Sequence, residues 1–219
     1  MAGTDTGVGK TVVTAALAAV ARSAGTRVAV LKPAQTGVTA TEPGDLDEIR
    51  RLSGVEDLHE LARYPEPLAP ATAARRAGLA GLGAEEVVAA ARGLDDRDVV
   101  LIEGAGGLLV HFDEAGSTLV DVALLLDAPV VVVSRAGLGA LNHAALTCRV
   151  LAEHGLRCPG VVIGAWPAEP GLAERCNLED FPAYSGRPVL GRVPDGAAKL
   201  EPAAFAEGAH DWISTKGLM

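Results

Sequence analysis

The residues best suited to chemistry open the chain. Gly3-Thr4-Asp5-Thr6-Gly7-Val8-Gly9-Lys10-Thr11 is a glycine-rich loop that runs into a helix starting near Lys10 and rich in Ala and Val. Glycines let successive backbone N–H groups face one concavity and the helix N-terminus adds partial positive charge, so such a loop is built to hold phosphate. Lys10 would reach the terminal phosphates, and the Thr11 hydroxyl would meet a magnesium ion. The spacing departs from the common form, because the position five before Gly9 is Thr4 and the glycine stands one residue earlier, at Gly3. A plain Gly/Thr-rich turn is the competing reading, but a Gly-Lys-Thr ending at a helix start is far more specific than a lone glycine pair.

Further polar residues stand where an α/β sheet presents ligands. Lys32 follows the apolar run Arg27–Leu31, a short buried strand that Lys32-Pro33 is expected to end. A lysine at the carboxyl end of a parallel strand points where ligands bind, although a solvated strand-end charge would look the same. Ala34-Gln35-Thr36-Gly37 and the loop through Gly44 have binding-loop character, and Asp45 opens a helix whose first turn is acidic, which capping alone would explain. The apolar strand Asp98–Glu103 ends in a carboxylate before Gly104-Ala105-Gly106-Gly107. That is how a phosphate-loop enzyme places a magnesium-side acid, with capping of the next turn as the alternative. After the strand Ala128–Ser134, the run Arg135–His143 leads into a helix through His154, and its glycines expose N–H groups suited to an anion. His143 reads as a capping or packing residue.

The elements that position these residues alternate. Helices are expected over Thr11–Ala24, Ala84–Arg92, Thr118–Leu126 and Pro202–Trp212, with further strands over Pro159–Gly164 and Val189–Pro194. Leu58–Pro70 reads as an irregular connection punctuated by proline. Alternating βα units imply a single α/β domain over 1–219: a three-layer sandwich, mainly parallel, with helices on both faces of the sheet. One anomaly stands out. Only Met1 and Ala2 precede Gly3, so the first strand, which normally carries such a loop, is expected to be missing. A start placed too far downstream is the favoured reason; truncation, or a sheet that manages without the strand, are the others.

Composition narrows the function classes. A net charge of -9 and 3% aromatic residues argue against a nucleic-acid binder, which needs a broad cationic surface. The three cysteines, Cys148, Cys158 and Cys176, lack CxxC spacing and read as reduced thiols of a cytoplasmic protein. No signal segment or membrane-spanning run is evident, so no membrane partner is expected.

The long phosphate loop, Lys32-Pro33 with Thr36-Gly37, Glu103-Gly-Ala-Gly-Gly107 and Leu138-Gly-Ala-Leu-Asn-His143, in this order and at these separations, together resemble ATP-dependent dethiobiotin synthetases. The resemblance covers nearly the whole chain and implies a P-loop NTPase fold. It also implies the reaction: 7,8-diaminopelargonic acid, CO2 and ATP with Mg2+ give dethiobiotin, ADP and phosphate, in biotin biosynthesis. By the same resemblance Gly7, Val8, Gly9, Lys10 and Thr11 cradle the nucleotide phosphates, and Thr11, Asp45 and Glu103 hold the metal. Lys32 and Lys10 are the implied catalytic residues, with Lys32 beside the carbamate and the γ-phosphate. Thr6, Thr36 and Gly106 contact the substrate, and Gly104, Ala105 and Gly106 line the site. Ala140, Leu141 and Asn142 would receive the substrate carboxylate from the partner subunit, which implies a homodimer with its active site at the interface. Many members carry an Asn-Asp pair that reads the adenine edge where this chain has Gly164-Ala165. Base contacts here fall to the backbone of Gly164 and Ala165 and to Val193, Pro194 and Asp195, so other nucleoside triphosphates could serve. The rival class is a P-loop switch ATPase of the partitioning and metal-carrier type, but its signature lysine near the loop start is replaced here by Thr4 and Asp5. A nucleotide-binding amidotransferase-like ligase is a further alternative.

Overall fold

In the computed structural model, which describes residues 1–215, seven parallel strands and eight α-helices alternate along the chain. The last four residues of the expected 1–219 domain lie outside the described residues. Strands β1 (Ala2–Gly3), β5 (Val132–Ser134), β6 (Val161–Trp166) and β7 (Val189–Pro194) form one sheet, in that order. Strands β3 (Leu58–Tyr64), β2 (Val28–Thr36) and β4 (Val99–Ile102) form the other, ordered β3-β2-β4. Val161, Val162 and Ile163 are fully buried, as expected of parallel strands covered on both faces.

Two apolar clusters make the outer layers. Helices α1 (Lys10–Ser23), α2 (Asp45–Ser53) and α8 (Pro202–Trp212) pack on one face through Leu17, Ile49, Leu52 and Phe205. Helices α4 (Ala84–Arg92), α5 (Leu119–Leu126), α6 (Ala140–Glu153) and α7 (Leu172–Ser185) cover the other through Val87, Val122, Leu151 and Phe181. Helix α3 (Pro70–Ala77) closes a small cluster around Tyr64 at the β3 edge. The three-layer α/β expectation holds.

Four expectations are corrected. The first strand is not missing but cut to two residues: Ala2 pairs with Val132 and Gly3 with Val133. On its other side the Met1 ammonium donates to the Ile102 carbonyl at 2.6 Å, and Gly104 N–H donates to the Met1 carbonyl. The stub thus links the two sheets only at their carboxyl ends. Strand β2 runs past Lys32-Pro33 to Thr36, because ladder alternation puts the missing Pro33 N–H on the β4 side, beyond the last pair Leu31 with Ile102. The expected irregular stretch from Leu58 begins with edge strand β3, paired to β2 from Leu58 with Val30 to Tyr64 with Thr36, and its prolines come only after the strand ends. A fourth strand is shorter than expected: of Ala128–Ser134, only Val132–Ser134 is in the ladder.

Candidate active site

The phosphate loop connects β1 to α1, whose N-cap Gly9 adopts the left-handed φ of 90°. The glycine at the early position is enforced by crowding: a Cβ on Gly3 would lie 2.7–2.9 Å from the Asp5 carbonyl, the Lys10 Nζ and the Gly106 carbonyl. Lys10 is therefore folded back into its own loop, where its Nζ donates to the Asp5 carbonyl at 3.3 Å and its side chain is buried. Burial, reinforced by the nearby Lys32 charge, lowers the Lys10 pKa. An anion entering the loop would reverse both effects, which is the electrostatic setting of a phosphate ligand.

Facing the loop across a cavity of about 430 Å³ is a buried charge cluster. Lys32 is 3% exposed, and its Nζ contacts Glu103 Oε1 at 2.8 Å and Asp45 Oδ2 at 2.5 Å. It is not a solvated strand-end charge. Burial alone would lower its pKa, but the two carboxylates outweigh burial and leave the ammonium held above its ordinary value. Glu103, at the end of β4, is fully buried; its Oε1 also accepts the Thr11 hydroxyl at 3.0 Å, whereas Oε2 has no hydrogen-bond partner. A buried carboxylate oxygen left unpaired beside a hydroxyl and a second carboxylate suits a hard cation with oxygen ligands. Thr11, Asp45 and Glu103 are the residues that could hold it, and Mg2+, which keeps several waters, fits a set of three.

The cavity is lined by Thr6, Gly7, Gly9, Lys10, Thr11, Lys32, Thr36, Asp45, Glu103, Ala105 and Gly106, so most of the expected site residues meet in one place. Val8 lies beneath the loop in the core, and Gly104 is buried beside it with its N–H bonded to Met1. Other expected residues lie outside the cavity. Ala140 is buried at the start of α6, with Leu141 half-buried and Asn142 exposed on the adjoining surface. Gly164, Ala165, Val193, Pro194 and Asp195 gather where β6 and β7 end, joined by Asp195 N–H to the Trp166 carbonyl at 2.7 Å. Gly164 has a structural cause of its own: a Cβ there would sit 2.0 Å from the Val8 carbonyl, so β6 supports the phosphate loop by direct backbone contact. No side chain fits at that position, which accounts for the lack of an asparagine.

Two participants were not singled out from sequence. Gln35 is buried in the cavity wall, and its Oε1 accepts the Asp45 N–H at 2.8 Å, fixing the start of α2 and so the carboxylate that meets Lys32. Its signal was its place in Ala34-Gln35-Thr36-Gly37, a stretch of binding-loop character that follows a strand expected to end at Pro33. Arg135 pairs with Asp5 at 2.6 Å, tying the exposed tip of the phosphate loop to the segment after β5.

A glycine-rich phosphate loop at the carboxyl edge of a parallel sheet, with an acid and a lysine opposite, defines the P-loop nucleotide-binding class. The comparisons agree: an AAA domain family model matches residues 1–202. The ATP-dependent dethiobiotin synthetase of Rhodococcus jostii is 61% identical over 217 residues, covering 99% of this chain and 94% of that protein. That of Streptomyces avermitilis is 59% identical, covering 98% and 90%. The chain belongs to the ATP-dependent dethiobiotin synthetase family, whose members are ATP-dependent ligases. Among solved structures, the Pyrococcus furiosus cell division ATPase MinD aligns with a TM-score of 0.57 at 17% identity, covering 96% of this chain and 95% of that one. A ParA family ATPase from Chlorobium tepidum gives 0.55 at 16%, covering 99% and 90%. These share the fold alone. The rival switch-ATPase reading therefore has its architecture here but not its sequence. No helix among the described residues is long and apolar enough to cross a membrane.

Proposed function

We propose that this chain uses a nucleoside triphosphate, CO2 and 7,8-diaminopelargonic acid to form dethiobiotin, ADP (or the corresponding diphosphate) and phosphate, in the cytoplasm, as a single domain over 1–219. The observation that carries the reading is the buried Lys32 ammonium, which shares one cavity with the phosphate loop, Thr6, Thr36 and Gly106. One substrate amine attacks CO2 and loses a proton, giving a carbamate. A carbamate oxygen then attacks the γ-phosphorus and the nucleoside diphosphate leaves. The second amine attacks the carbonyl carbon of this carbamic-phosphoric anhydride and loses a proton, and phosphate departs as the ureido ring closes. No protein nucleophile is needed.

The residues supply charge and position. Two anions, carbamate and γ-phosphate, must approach each other, and a fixed ammonium between them removes the repulsion that water would have to reorganise to screen. Lys32 occupies that place. Lys10 and the N–H groups of Gly7, Val8 and Gly9 take the terminal phosphates, while Thr6, Thr36 and Gly106 orient the diamine. Bound Mg2+, held by Thr11, Asp45 and Glu103, would neutralise charge on the β- and γ-phosphate oxygens. The backbone of Gly164, Ala165, Val193, Pro194 and Asp195 borders the base, so selection among bases rests on shape and main-chain groups.

A homodimer completes the reading. Ala140, Leu141 and Asn142 at the α6 start lie outside the cavity, where they would serve a substrate bound to the partner subunit. Leu138 beside them is 92% exposed and Leu146 on the same helix 56%, apolar surface that a second copy would cover. The test is phosphate release by the purified chain with Mg2+, bicarbonate and the diamine, comparing ATP, CTP and GTP and omitting each component in turn. Release that requires both diamine and bicarbonate is expected; release indifferent to the diamine would refute the reading.

A further inference from the structure

Helix α7 carries a polar side chain where its buried face should be apolar. Asn177 is 7% exposed, and Phe181, one turn further on the same face, is fully buried in the cluster that α7 shares with α6. A leucine at 177 would serve packing as well. A buried amide costs free energy unless its polar atoms find partners, so what Asn177 bonds to is informative.

Its partners are two consecutive carbonyls. Asn177 Nδ2 donates to the Ala136 carbonyl at 2.8 Å and to the Gly137 carbonyl at 2.9 Å. Both lie in the turn between Ser134, which ends β5, and Ala140, which begins α6. The Gly137 carbonyl also accepts the Ala140 N–H at 3.1 Å, and Gly139 takes a φ of 89° before the first helical bond, from the His143 N–H to the Gly139 carbonyl. Glu174, one turn before Asn177, meets the same turn: a Cβ on Gly137 would sit 3.2 Å from its Oε1. Asn177 thus grips the turn that sets the direction in which α6 starts. Among the described residues, the N–H groups of Leu141 and Asn142 that follow have no acceptor, as the first turn of a helix leaves them.

We propose that Asn177 is a positioning residue for the substrate held by the partner subunit: by fixing the Ala136 and Gly137 carbonyls it aims the Leu141 and Asn142 N–H groups at the substrate carboxylate across the interface. This rests on the proposed function, in which the start of α6 serves the other subunit's site. Two donors must point at one carboxylate, and hydrogen bonds weaken steeply as alignment is lost, so a small rotation of the helix start lowers affinity for that end of the substrate. The chemistry itself is spared, because Asn177 is not among the residues lining the phosphate-loop cavity.

Asn177→Ala and Asn177→Leu both remove the donor, the first leaving space that water can fill and the second keeping the volume. In either variant, KM for 7,8-diaminopelargonic acid is expected to rise roughly tenfold, with kcat and KM for ATP unchanged. For the same diamine with a methyl group in place of its carboxylate, kcat/KM should equal that of the unmodified chain, which a general loosening of the fold would not allow. A heterodimer of one Lys32→Met chain and one Asn177→Ala chain places the effect between subunits. Its one live site uses the Lys32 of the Asn177→Ala chain and the intact Asn177 of the other, so it should show the unmodified KM at about half the turnover. An elevated KM in that heterodimer, an unchanged KM in both homodimeric variants, an equal loss with the methyl analogue, or failure of both variants to fold would each overturn the proposal. Absence of diamine-dependent turnover in the unmodified chain would instead refute the proposed function, and this inference with it.

Discussion

Replacing Lys32 by methionine isolates the charge on which the site turns. Two unit charges 2.8 Å apart, the separation of Lys32 Nζ and Glu103 Oε1, attract by about 6 kcal/mol at an effective dielectric of about 20. Desolvation of both groups consumes much of this, so the pair itself contributes little net stability. The variant is different, because it leaves a fully buried carboxylate with one hydrogen bond, from Thr11, and one bare oxygen. Stranding a buried charge in this way costs about 3–5 kcal/mol. For a domain of this size each kcal/mol lowers Tm by about 2–4 °C, so Lys32→Met should melt roughly 10 °C lower in EDTA, followed by circular dichroism. Adding Glu103→Gln removes the stranded charge and should restore most of the Tm. Turnover distinguishes stability from chemistry: both variants should lose about 10²-fold or more in kcat, since the ammonium acts where charge develops. A Lys32→Met variant with unchanged Tm and unchanged kcat would refute the reasoning.

Other consequences can be measured separately. Gly164→Asn should weaken ATP binding about tenfold by pushing the Val8 carbonyl and loosening the loop. Calorimetry showing equal or tighter ATP binding would count against the contact. Gln35→Ala frees the Asp45 N–H and should cost about 1 kcal/mol in stability. It should also raise the Mg2+ concentration for half-maximal activity by about tenfold, as loss of a residue orienting a metal ligand does. An unchanged magnesium requirement would remove Gln35 from its positioning role.

Much of this architecture can be read in the sequence because it is written in local signals. Glycine-Lys-Thr before an alanine-rich run, apolar strands ending in Lys32 and Glu103, and the helices Ala84–Arg92 and Pro202–Trp212 follow from periodicity and punctuation alone. What escaped depends on partners. Strand β3 lacks β-branched residues and lies at an edge, so only pairing with β2 makes Leu58–Tyr64 a strand. Helix α3 begins at Pro70, inside a proline-rich stretch, and α7 carries Pro182 within it, so both were masked by the residue that usually marks breaks. The two-residue β1 could not be anticipated from its own composition, since Ala2 and Gly3 are poor strand formers held by neighbours on both sides. At the site, residue types gave Lys10, Thr11, Lys32, Asp45 and Glu103, but their convergence on one cavity, and the role of Gln35, exist only in three dimensions.

The central claim, that a carbamate oxygen attacks the γ-phosphorus beside Lys32, has a direct isotopic test. With freshly prepared ¹⁸O-labelled bicarbonate, unlabelled water, Mg2+, ATP and 7,8-diaminopelargonic acid, the phosphate released by this chain is analysed by mass spectrometry. Ring closure breaks the bond between the carbonyl carbon and the bridging oxygen, so that oxygen leaves with phosphate. One ¹⁸O per phosphate, appearing only when the diamine is present, is the predicted result. Unlabelled phosphate released at the full rate would mean that water attacks the nucleotide, and the account of this site would be wrong.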